Sequence, residues 1–148
     1  MVVDELSAAE LIFSNDFYEI RTLDRGWIVC LARSATPFTS KEEIDAGCLP
    51  VQRKLDRIGR TGKRLLLDTR LAVGNNNPSF EANFAAHRRR MADGFKTVAL
   101  LVQTLIGKLH NERLVNEDQA GAPQVFMDAA LALAYLREKL PMSRRVGQ

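Results

Sequence analysis

The residues best suited to chemistry gather in one stretch, KRLLLDTRLAVGNNNPSFEANFAAHRRRMADGF, from Lys63 to Phe95. Asp68 closes the apolar run Leu65-Leu66-Leu67, at the edge where open α/β sheets put their ligands. Asn75, Asn76 and Asn77 follow in a turn, where Asn tolerates left-handed backbone angles. Ser79 falls in the first turn of a helix that Pro78 opens with Asn77 as N-cap, near the positive end of the helix dipole. A phosphate on Ser79 would be electrostatically favoured there and would change a docking surface. The plainer readings are a carboxylate that holds its own turn and a solvated hydroxyl.

The other reactive types point away from catalysis. His87 borders the apolar side of the same helix and has no serine or cysteine nucleophile beside it, and His110 stands alone on another predicted helix. Cys30 and Cys48 lie in apolar patterns without CxxC spacing, as buried free thiols do. With two histidines in the chain, no zinc site is expected. Gly59-Arg60-Thr61-Gly62-Lys63 precedes a strand, whereas a phosphate-binding loop follows one. The carboxylates are scattered, with no pair at glycosidase spacing. Arg88-Arg89-Arg90, with Lys96, Lys108 and Arg113 elsewhere, could make a basic patch for phosphate or an acidic partner. Three consecutive residues step about 100° each around a helix, however, and the plainer reading is a solvated charged face. The expectation is a protein that is not an enzyme, with no cofactor and no metal.

Composition narrows the class further. The chain has 148 residues, 46% hydrophobic and 26% charged, enough for one domain with one substantial core. A net charge of +3 implies no nucleic-acid partner by itself. No apolar run approaches the ~20 residues of a membrane span, and the first residues carry acids where a signal peptide carries positive charge. The expected location is cytoplasmic.

These residues must be held by elements whose order the pattern gives. Residues 1–15 read as an arm or short helix. Phe17–Leu23 alternates as an edge strand does, Asp24-Arg25-Gly26 turns the chain, and Trp27–Ala32 forms the second arm of an antiparallel hairpin. Ser40 and Glu43 make a capping-box signature. The helix that follows carries Ile44, Cys48, Val51, Leu55 and Ile58 on one face, and Pro50 must kink it or start a second one. Lys63 leads into the Leu65–Leu67 strand, and Asp93-Gly94 stops the next helix. Thr97–Val102 is another buried strand, residues 105–116 a helix, Gln124–Met127 a last strand, and Asp128 the N-cap of a final helix that Pro141 ends. Strands alternating with helices require parallel pairing through right-handed crossovers. The reading is one α/β domain over residues 16–140, with a mixed, mostly parallel sheet of about five strands, four helices, and a flexible tail at 141–148.

LLLDTR, the Gly/Asn/Pro turn, FEANFAAHRRRMADGF leading into TVALLVQT, and the closing VFMDAALALAYLRE together resemble the SpoIIAA-like branch of the STAS superfamily, over about Phe17 to Lys139. That resemblance implies a regulatory or protein-interaction module without catalysis, working through the turn around Asp68–Ser79. In anti-sigma factor antagonists of this type, a phosphorylatable serine sits in an Asp-Ser-Ser-Gly-type motif. Here Asn75-Asn76-Asn77-Pro78-Ser79 stands in its place, and Ser79 is the hydroxyl in that neighbourhood. Partners implied are another protein or a second copy of the chain. The alternative is a carrier of an apolar or lipid-like small molecule, since some relatives are grouped with Sec14-type lipid-binding domains.

Overall fold

A computed structural model describes residues 5–72, 78–104, 106 and 123–138. Six strands lie side by side in chain order, β1 (Glu10–Ser14), β2 (Tyr18–Leu23), β3 (Ile28–Arg33), β4 (Arg64–Asp68), β5 (Thr97–Leu101) and β6 (Gln124–Phe126). The first three pair antiparallel, and β3 to β6 pair parallel. Helix α1 (Lys41–Ile58) joins β3 to β4, and α2 (Pro78–Ala92) joins β4 to β5. Helix α3 (Ala129–Glu138) follows β6. The expected mixed α/β class holds, with six strands and, among the described residues, three helices. Of the helix expected at 105–116 only Ile106, which is helical, is described, and the tail at 141–148 lies outside the described residues.

Successive parallel strands added in one direction through right-handed crossovers put their helices on one face. Accordingly α1 and α2 share a face, over Ile20, Val29, Leu31, Leu65, Leu67, Val98 and Leu100. The alternate residues, Ile28, Cys30, Leu66, Ala99 and Leu101, point to the opposite face, under α3 and Leu6. Both faces of β3 to β5 are covered, which is why these strands read as continuous apolar runs.

Three expectations need correction. Glu10–Ser14, placed in an arm or short helix, is the edge strand β1, paired with β2 across a bulge between Leu11 and Phe13. The β2 strand is consequently interior rather than an edge. Its alternation arises because Tyr18 and Ile20 pack under α1 while Glu19 and Arg21 stay beyond the reach of α3. Arg21 instead anchors the segment before β1, donating to the Ala9 carbonyl at 2.8 Å. Third, α1 runs unbroken through Pro50. Ile44, Cys48, Val51 and Leu55 form one buried stripe spanning the proline. Burying that stripe offsets the ~3 kcal/mol that an interior proline costs.

The start of α1 follows the predicted cap with one change. Ser40 Oγ accepts from Glu43 N at 3.1 Å, but the Glu43 carboxylate turns to Thr39, taking its N–H and its hydroxyl at 2.8 Å each. Asp128 caps α3 as expected, accepting from Leu131 N at 3.0 Å.

Candidate functional site

Parallel strands deliver their last residues to one edge, and the carboxyl ends of β4 and β5 are stitched beyond the ladder itself. Thr69 donates both its N–H (2.9 Å) and its hydroxyl (2.8 Å) to the Leu101 carbonyl. Asp68 is occupied by the turn it begins. Its Oδ1 accepts from Arg70 N at 3.1 Å and Arg70 Nε at 3.0 Å, and its Oδ2 from Arg70 Nη2 at 2.9 Å. A carboxylate closing a ring with both backbone and guanidinium of the residue two along is a conformational device. It presents Leu71, which is 65% exposed. Asn75, Asn76 and Asn77 lie outside the described residues. Ser79 is exposed on the first turn of α2, while Phe80 and Phe84 further along pack toward the core. Met127, Leu131 and Ile106 are also exposed, and all three follow the carboxyl ends of β5 and β6 in the chain.

His87 sits away from this edge, between α1 and α2, almost wholly buried. Its Nε2 is 2.6 Å from Asp45 Oδ1 and its Nδ1 is 2.7 Å from Gln52 Nε2. A carboxylate only accepts and the amide nitrogen only donates, so the ring fits as a neutral imidazole with the proton on Nε2. Both nitrogens are occupied, and neither is free to take a proton from a nucleophile. The bond from His87, helped by a longer one from Asn83, holds the Asp45 carboxyl below its usual range. This polar lock between helices was not visible as such in the sequence. Its signal was present, since Asp45 and Gln52 are two helical turns apart beside the buried stripe.

Neither thiol is poised for reaction. Cys48 is fully buried with its Sγ 3.8 Å from the Tyr18 hydroxyl, and burial pushes the thiol up to about 11. Thiolate is the nucleophilic form, so this environment suppresses reactivity. Next to the pair, the buried Arg33 lays its guanidinium 4.3 Å from the centre of the Phe38 ring and donates to the Phe17 and Ser34 carbonyls. Phe17 stacks on Phe38 with centroids 4.4 Å apart. Gly47 on α1 makes room for both rings, because a Cβ there would lie 2.8 Å from Phe17 Cδ2.

Among the described residues, no group of three His, Cys, Asp or Glu side chains could hold a metal ion. No described helix is long and apolar enough to cross a membrane.

No family model matches the chain, and no curated protein does. A solved structure is similar to it: an uncharacterized protein from Shewanella loihica PV-4, of the DUF3478 family and with a SpoIIAA-like fold. The likeness covers 84% of this chain and 98% of that one, with a TM-score of 0.61 and 17% identity. The sequential sheet, the two crossover helices on one face and the closing helix on the other are thus those of a SpoIIAA-like fold.

Proposed function

We propose that this chain is a non-catalytic regulatory or protein-interaction module that engages its partner through the carboxyl edge around Asp68–Ser79. The observation that carries this reading is Leu71, an exposed leucine on a turn that the Asp68–Arg70 ion pair fixes. An apolar residue carried by a turn that its own ion pair holds suits docking, because the ordering entropy of the turn is already met before the partner arrives. The occupied nitrogens of His87 and the buried, protonated Cys48 add no support for a catalytic alternative.

Native mass spectrometry on protein purified gently from its own source tests this. The expected result is a complex with a protein partner, or a doubled mass, that Leu71→Glu abolishes. Monomer in both preparations would overturn the reading. An added mass of a few hundred daltons lost on denaturation would replace it with the small-molecule carrier. A covalent gain of about 80 Da on Ser79 would add phosphorylation as the control.

A further inference from the structure

Nine of the 21 Lys and Arg residues fall in two short stretches, 52–63 and 88–96, against two acids, Asp56 and Asp93. The two stretches carry a formal +7 in a chain whose total is +3, so the remainder is net acidic. Neither run forms a patch alone. The fold joins them, because α1 and α2 both cross the same face from the carboxyl to the amino end of the sheet and finish side by side. Arg60 fixes the junction, donating from Nη1 to the Arg90 carbonyl and, at 2.7 Å, to the Asp93 carbonyl. Between the helix ends lies an open groove of about 310 Å³, lined by Gln52, Asp56, Arg60, Arg90, Asp93 and Gly94.

Helix C-termini attract cations for their own sake; Arg57 lies in the last turn of α1 and Arg89 and Arg90 in the last turn of α2, and two further cations bond the helix ends directly. Arg60 satisfies the last carbonyls of α2, and Lys63 Nζ donates to the Ile58 carbonyl of α1 at 2.6 Å. Arg53 and Lys96 stand outside those last turns, and together with Arg57, Arg89 and Arg90 they are exposed and make no ion pair among the described residues. Gathering like charges costs the folded state through self-repulsion, a cost that an anionic partner relieves.

We infer that this end of the α1–α2 layer docks an acidic segment of a partner protein, at a surface separate from the carboxyl edge. Guanidinium forks match carboxylates in plane and spacing. Asp56 and Asp93 interrupt the groove, which suits a peptide with spaced carboxylates and breaks the continuous positive track a phosphodiester backbone follows. No exposed aromatic ring lies in either stretch to stack on bases, and no exposed large apolar side chain lies there to enter a bilayer.

The test uses the full chain and a fluorescein-labelled peptide of about twelve alternating Glu and Gly residues, followed by fluorescence anisotropy at low and physiological salt. Binding is expected at low salt, weakening as salt rises, and about tenfold weaker in the double variant Arg57→Glu/Arg89→Glu. The neutral double variant Arg57→Gln/Arg89→Gln should fall between, and serves if charge reversal disturbs folding by circular dichroism. Leu71→Glu should bind the peptide as the wild type does, which separates this surface from the carboxyl edge. Equal binding by wild type and both double variants would overturn the inference, as would no binding at low salt. So would tighter binding to a single-stranded oligonucleotide or to phosphatidylserine vesicles than to the peptide.

Discussion

The two faces of the sheet are covered in different ways, and two buried arginines show the contrast. On the α1–α2 face, Arg33 is accommodated: three aromatic rings surround its guanidinium, and two backbone carbonyls accept from it. On the α3 face, Arg64 is fully buried with Nη1 bonded to the Gly62 carbonyl at 3.0 Å, while Nε and Nη2 have no acceptor among the described residues. The first face also carries the Asp45–His87–Gln52 lock and the Tyr18–Cys48 contact. The second is packed by Ala132, Leu133 and Leu136, and its polar fastening is peripheral, where Arg137 reaches Asp24 at 2.8 Å and also Glu5. Polar groups inside a helix pair fix its register more sharply than apolar contact does. The face that aligns α1 with α2, and so builds the basic end, is the one that carries them.

Truncation gives the largest effects and asks whether both faces belong to one cooperative core. Leu55 on α1 and Leu136 on α3 are both fully buried. Each Leu→Ala variant should lose about 2–5 kcal/mol in denaturant unfolding. A loss below about 1 kcal/mol for Leu136→Ala would show that α3 is an appendage rather than part of the core.

Alkaline pH acts on the first face through its thiol and its phenol. Burial raises Cys48 to about 11 from an ordinary 9.0, and burial, then Cys48, raises Tyr18 well above its ordinary range. Groups with raised folded-state values ionise more readily once unfolded. The thiol's contribution is therefore complete below pH 9 and lost as pH rises through 11, by about 2 kcal/mol, and the phenol's is lost at higher pH still. Cys48→Ala should flatten this part of the pH–stability curve, and an unchanged slope would rule the thiol out as its source. Breaking the helix lock comes next. His87→Ala should cost about 1–2 kcal/mol, since Gln52 and Asp45 lose a partner but are reached by water, and His87→Gln should restore part of it. Equal losses for the two variants would mean that packing, not hydrogen bonding, is what His87 supplies.

The contrast between faces also marks what could be read from the sequence. Continuous apolar runs such as Leu65–Leu67 identified doubly covered strands, and Ser40 and Asp128 announced their helices through capping chemistry that is local. Non-local effects were missed. Nothing near Glu10–Ser14 says that β2 will offer it an edge, so the strand read as an arm. Pro50 reads as a break even with the apolar stripe visible across it, because how fully the sheet buries that stripe is not a local property. At the carboxyl edge, Asp68 was legible as a turn residue, since its Arg70 partner is two positions away. The basic end is only half legible: Arg88-Arg89-Arg90 stand out in the sequence, but Arg60 and Arg90 become neighbours only through two crossovers.

The smallest predicted effect is also the one with the opposite sign. A guanidinium held in the core with two nitrogens unmet among the described residues costs more than it returns, and an apolar chain of similar length avoids that desolvation. Arg64→Met should therefore raise stability, by about 1 kcal/mol, measured as a higher denaturant midpoint at unchanged slope. The same substitution at Arg33 should lower it, because the rings and the Phe17 and Ser34 carbonyls around that guanidinium would lose their partner. If Arg64→Met is destabilising instead, the Arg64 guanidinium has a partner beyond the described residues, and the two faces handle buried charge alike.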